Sequence, residues 1–243
     1  MAKIPKDPKE IFDAFTKDYQ GIYGGALVSI LLYGSAASGN YIPKKSDINF
    51  LIVLTDEGIN QLKKSFKTVE KWYKRKVSIP LFLTKSYIST SLDSFPIEFL
   101  NMQKSYQLVF GEDVFKELSF NRDHLRLQCE RELKGKLLQL RQVYLESRGK
   151  TKNLKYIIRN SLTAFISIFQ ALLYLKDKEI PADRKKIISL TSQEMGIDEQ
   201  IFLNLLKVKE GTVKLSAEAL NTLFEDYIKE ARKLSYTVDQ LTI

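Results

Sequence analysis

Leu31-Leu32-Tyr33-Gly34-Ser35 ends one apolar run of this chain, and Asp47-Ile48-Asn49 leads into the next, Phe50-Leu51-Ile52-Val53-Leu54. The run over 26–33 is short and nearly continuously apolar, which predicts a buried strand; 49–54 predicts a second, with 36–46 as the loop between them. A glycine at a strand end lets backbone approach a phosphate closely, and the serine beside it adds a hydroxyl donor. Asp47 and Asn49 stand at i and i+2, so on a strand they point to the same face and address the same space.

Working outward, 8–19 reads as an amphipathic helix broken by Gly21, Gly24 and Gly25. Asp56 and Glu57 open a helix that continues through Leu62, Phe66, Val69 and Trp72 at helical spacing. Residues 77–83 predict a third strand, which Pro80 confines to an edge or a bulge. Residues 84–94, rich in Ser and Thr, read as a loop, and 96–102 as a short helix. A fourth strand is expected over 106–110, after which Glu112 and Asp113 are expected to start a helix. Strands alternating with helices indicate an α/β or α+β unit.

From residue 121 the character changes. Residues 122–147 form a long amphipathic pattern with Leu125, Leu133, Leu137, Leu140 and Tyr144 on one face. A second long helix, 153–176, is apolar on most of its circumference past Ser161, as a central bundle helix is. Pro181, Gly196 and Gly211 separate shorter helices, and Ser216 caps the last, expected over 216–234. The expected architecture is a small mixed-sheet domain over 1–120 followed by a C-terminal helical bundle over 121–243.

Composition narrows the setting. A single cysteine, Cys129, rules out a disulfide within the chain and points to a reducing, cytoplasmic compartment. Residues 1–8 lack the apolar core of a signal peptide, and the greasy stretch 165–175 is too short to span a bilayer, so no membrane partner is expected. The net charge of +9 favours a polyanionic partner, a nucleotide, a nucleic acid or a membrane surface, although the basic residues come only in scattered pairs and triplets. Lys44 and Lys45, in the loop before Asp47, are candidates for phosphate contact. His124, the one histidine, has no acidic or Cys neighbours at metal spacing and reads as structural.

Leu32-Tyr33-Gly34-Ser35-Ala36-Ala37-Ser38-Gly39 with Lys45-Ser46-Asp47-Ile48-Asn49 resembles the Gly-Ser…Asp-x-Asp core of the nucleotidyltransferase superfamily, the group with the DNA polymerase β-like fold. The layout is similar to that of aminoglycoside adenylyltransferases, a compact nucleotidyltransferase domain followed by a helical bundle. The core likeness covers 26–54, and a looser one through Phe95-Pro96-Ile97-Glu98 and 106–113 extends to about residue 118. The resemblance implies a nucleoside triphosphate held by Gly34 and Ser35, with Asp47 as catalytic carboxylate and principal metal ligand and Asn49 as a weak second ligand. It also implies Mg2+ or Mn2+ as cofactor, and an acceptor, of unknown identity, bound by the helical half.

The chain departs from that pattern twice. Asn49 is neutral where the family carries an acid, and Lys76-Val77-Ser78-Ile79-Pro80-Leu81-Phe82-Leu83 holds no Asp or Glu where the family places a third carboxylate. One carboxylate of three remains, which weakens metal binding and activation of an attacking hydroxyl. Glu98 or Asp93 would have to reach in to compensate. Three readings stay open: a protein that binds NTP and Mg2+ and transfers a nucleoside monophosphate to a hydroxyl acceptor, with reduced activity; an inactive relative acting as a nucleotide sensor or interaction module; or an RNA- or DNA-binding protein, suggested by the +9 charge.

Overall fold

The computed structural model describes residues 4–39 and 41–242. They divide into two compact units, Met1–Leu92 with Phe99–Ser119 and Asp93–Glu98 with Phe120–Ile243. The short segment 93–98 therefore belongs with the helical unit, although it lies within the first half of the chain.

The first unit is built on a four-stranded mixed sheet of order β3-β2-β1-β4. Strand β1 (Leu27–Tyr33) pairs antiparallel with both β2 (Asn49–Leu54) and β4 (Tyr106–Gly111), and β2 pairs parallel with β3 (Leu81–Thr84). Helix α1 (Phe12–Tyr23) follows a 3-10 turn at Pro8–Ile11, where Asp7 and Glu10 form a reciprocal capping box. It runs through Gly21 and ends at Gly24, whose φ of +52 is left-handed. Its buried Phe15 stacks on Phe50 of β2 at 4.1 Å between centroids and meets Trp72 edge-on at 5.3 Å. Each such pair adds about 1 kcal/mol beyond its area, so α1 is fastened to the face of the sheet opposite the side chains of Asp47 and Asn49.

The helix expected over 56–72 is interrupted. Helix α2 (Asp56–Ile59) ends where the Asn60 and Gln61 side-chain amides donate to the Asp56 and Glu57 carbonyls, offering the backbone an alternative to helix. A 3-10 turn at Leu62–Ser65 then leads to α3 (Phe66–Tyr73). The expected third strand shortens to 81–84. Pro80 has no N–H to donate, and upstream of it only a bridge between Ile48 and Val77 survives. The stretch expected as a Ser/Thr loop contains α4 (Lys85–Thr90): Thr84 caps it through Tyr87 N at 3.1 Å, and buried Ile88 anchors it. Helix α5 (Pro96–Lys104) is two residues longer than expected. Glu112 and Asp113 do not start a helix. Glu112 pairs with Lys85 at 2.8 Å, and Asp113 accepts from the Tyr106 hydroxyl and from Phe115 N, closing a turn.

The second unit packs five helices: α6 (Arg122–Ser147), α7 (Thr151–Leu175), α8 (Arg184–Met195), α9 (Glu199–Glu210) and α10 (Ala217–Asp239). Asn121, Asp183, Asp198 and Ser216 cap the N-termini of α6, α8, α9 and α10, and Gly196 and Gly211 end α8 and α9 in the left-handed conformation. Helix α10 continues past residue 234 because Ser235 and Val238 are also buried. Taken whole, α7 is long and apolar enough to cross a membrane, which the 11-residue stretch alone would not be. Half of that apolar window is buried inside the protein, where Phe165 and Phe169 pack with Phe202 and Tyr227. That is the arrangement of a bundle's core helix.

Candidate functional site

The site lies in the first unit, where the end of β1 faces the start of β2. Tyr33 is paired with Asn49 on one side and with Tyr106 on the other. The next residue, Gly34, has φ +75, a conformation that costs a residue with a side chain about 1–2 kcal/mol. Its N–H donates to the Ser105 carbonyl at 3.1 Å, and the Ser105 hydroxyl donates back to the Gly34 carbonyl at 3.4 Å. Gly34–Ala36 form a 3-10 turn in which Ala37 N and Ser38 N both donate to the Gly34 carbonyl, and the Ser38 hydroxyl donates to the Ser35 carbonyl. The turn is thus braced by its own backbone and by the start of β4. A Cβ placed on Gly34 would stand 3.4 Å from Asn49 Nδ2, which locates the Asn49 amide directly against the turn.

Asp47 precedes β2. Ile48 between it and Asn49 is buried, and its backbone is bonded on both sides to the segment after α3: Ile48 N donates to the Lys76 carbonyl and Ser78 N to the Ile48 carbonyl, each at 3.0 Å. Ile48 is bridged to Val77, also buried, so alternation puts Ser78 on the same side as Asp47 and Asn49. The Lys76 ammonium lies 4.0 Å from Asp47 Oδ1; their side chains are 46% and 60% exposed, so neither is sequestered from a ligand. Lys76 itself has φ +67, unusual for a residue with a side chain. Burial, and the negative charge of Glu10, Asp47 and Asp7 around it, raise the Tyr41 phenol above its ordinary pKa. Burial raises the Tyr33 phenol likewise.

The candidate residues fall into two groups. Gly34, Ser35, Asp47 and Asn49 are gathered at the facing ends of β1 and β2. Lys44, with φ +68, and Lys45 are exposed on the connecting loop, where Lys45 N and Ser46 N donate to the Ile42 carbonyl. The two acids considered as replacements are otherwise engaged: Glu98 accepts from Gln128 Nε2 at 2.7 Å and Asp93 from the Ser94 hydroxyl at 3.0 Å. Lys76 and Ser105 were not candidates by sequence. Lys76 stands just before the expected third strand, and nothing in the order of residues places it beside Asp47.

Donor chemistry decides what the site can hold. A two-ion centre needs several anionic ligands around it. Here one carboxylate and one neutral amide share a face, and an ammonium stands 4.0 Å from the carboxylate. Among the described residues no group of three or more His, Cys, Asp or Glu side chains is placed to hold a metal. These residues do not fit a resident pair of divalent ions.

No protein-family model matches the chain, and no curated protein matches it in sequence. Among solved structures, the chain is similar to spectinomycin adenyltransferase AAD(9) from Enterococcus faecialis, determined with ATP and spectinomycin. The TM-score is 0.56 at 11% identity, covering 93% of this chain and 98% of that one. The likeness extends over both the sheet-bearing and the helical unit and shows that the two chains share a fold.

Proposed function

We propose that this protein binds a nucleoside triphosphate at the Gly34-Ser35 turn beside Asp47 and Asn49, and that it does so without efficient nucleotidyl transfer. The observation that carries the reading is the pairing of Tyr33 with Asn49. It sets a left-handed glycine and its small-residue turn against the face that Asp47 and Asn49 share, while supplying only one carboxylate to that face. The similar solved structure holds ATP, which supports an adenine nucleotide as the ligand class. It also holds spectinomycin, so an active form of this protein would carry a nucleoside monophosphate to a hydroxyl of a small acceptor. Against that activity stand Asn49 in place of an acid and the missing third carboxylate, which leave the attacking hydroxyl without a two-ion centre. The protein is read as a nucleotide-responsive module of the cytoplasm.

Calorimetric titration with ATP and a transfer assay with labelled nucleotide test this together. Wild type binds ATP and labels no acceptor at a rate above background. The Asn49→Asp, Ser78→Asp variant, which restores two acids on the Asp47 face, gains Mg2+-dependent transfer. Robust transfer by wild type would overturn the non-enzymatic reading; an absence of ATP binding would overturn the site.

A further inference from the structure

Resting on that reading of the site, we infer that Lys76 occupies the electrostatic place of a divalent ion, so that nucleotide binding here is independent of Mg2+. A triphosphate carries about four negative charges and needs cations beside it. In a carboxylate-lined site those cations must be metal ions, because the carboxylates themselves repel the ligand. In this protein the Asp47 carboxylate has the Lys76 ammonium 4.0 Å away. Lys76 is not a freely placed surface lysine. Its N–H donates to the Tyr73 carbonyl at 3.1 Å and its carbonyl accepts from Ile48 N at 3.0 Å, which ties its backbone to both α3 and the residue between Asp47 and Asn49. It holds this position in a left-handed conformation that favours glycine. Its ammonium keeps donors free for a second partner, since at 4.0 Å the contact with Asp47 is a loose ion pair rather than a tight hydrogen bond. Asp47 keeps the ammonium beside the face that Asn49 shares, and Asn49, as an amide, can donate to a phosphate oxygen where a carboxylate would repel it. On this account a neutral amide at position 49 and an ammonium at position 76 each favour an anion bound without metal.

The test is ATP binding followed by a fluorescent ATP analogue, in excess EDTA and in millimolar Mg2+, for wild type, Lys76→Gln and Lys76→Arg, with circular dichroism as a check on folding. Wild-type affinity in EDTA is expected within about threefold of that in Mg2+. Lys76→Gln is expected to lose at least tenfold in EDTA and to recover part of it with Mg2+, while Lys76→Arg stays near wild type. Binding by wild type only in Mg2+, with Lys76→Gln unchanged, would overturn the role of Lys76 and leave the nucleotide site standing. No binding in either medium would overturn both.

Discussion

Gly34→Ala isolates the demand the turn makes on its backbone. With φ at +75, a residue carrying a Cβ pays about 1–2 kcal/mol for the left-handed conformation. The new methyl adds little, because its nearest neighbour, Asn49 Nδ2, lies at 3.4 Å, an ordinary contact. A domain stable by about 5–15 kcal/mol survives that loss. At a slope of about 2 kcal/mol per M, the urea midpoint of the sheet-bearing unit should fall by roughly 0.5–1 M. Gly111→Ala provides the contrast. Its φ of +79 carries the same conformational cost, but its Cβ would stand 2.0 Å from the Val28 carbonyl oxygen and 3.1 Å from Ser29 Cα. Both are backbone atoms of the strand against which β4 is paired, so the pairing itself must move. The loss should exceed about 4 kcal/mol, the range reached only by severe mechanisms. Urea denaturation followed by far-ultraviolet circular dichroism measures both. Gly34→Ala within about 0.5 kcal/mol of wild type would refute the conformational argument, and Gly111→Ala no worse than Gly34→Ala would refute the steric one. If the proposed nucleotide site is correct, folded Gly34→Ala should also lose at least tenfold in ATP affinity, since the methyl stands beside Asn49.

Two further outcomes follow from buried phenols. Tyr19 is fully buried and its hydroxyl has no hydrogen-bond partner among the described residues, so Tyr19→Phe should raise the unfolding free energy by about 1 kcal/mol; a destabilised variant would mean that the hydroxyl is satisfied. Burial, as the leading cause, pushes the Tyr19 and Tyr227 phenols well above their ordinary values. Their folded pKa values exceed the unfolded one of about 10, so their contribution is complete below about pH 10 and is lost as pH rises above it, where the native state retains protons that the unfolded state releases. Alkaline titration should therefore show a late tyrosinate phase coinciding with loss of circular dichroism. Full ionisation of every tyrosine in a still-folded protein would contradict this.

What lay in the order of residues was whatever short-range chemistry dictates. The apolar runs before Gly34 and after Asp47 became β1 and β2, Asn49 opening the second as expected, because burial of continuous apolar segments needs no distant information. The helical half read well for the same reason: Ser216, Gly196 and Gly211 act on the turn of chain beside them. Short elements with mixed signals read poorly. Helix α4 is held by Thr84 and by the burial of Ile88, and Ile88 is buried only because of what folds around it. Glu112 and Asp113 have the composition of a helix start, but Lys85 and Tyr106 claim their carboxylates first. At the site the division is sharp. The sequence alone placed Gly34 and Ser35 after one apolar strand and Asp47 and Asn49 at the start of the next, and its family resemblance implied that they meet and that two acids are missing. Only the tertiary structure brought Ser105 under Gly34 and Lys76 beside Asp47, because backbone pairing between segments far apart in the chain decides which charge faces which. That pairing sets the Asp47 carboxylate with a lysine at its side.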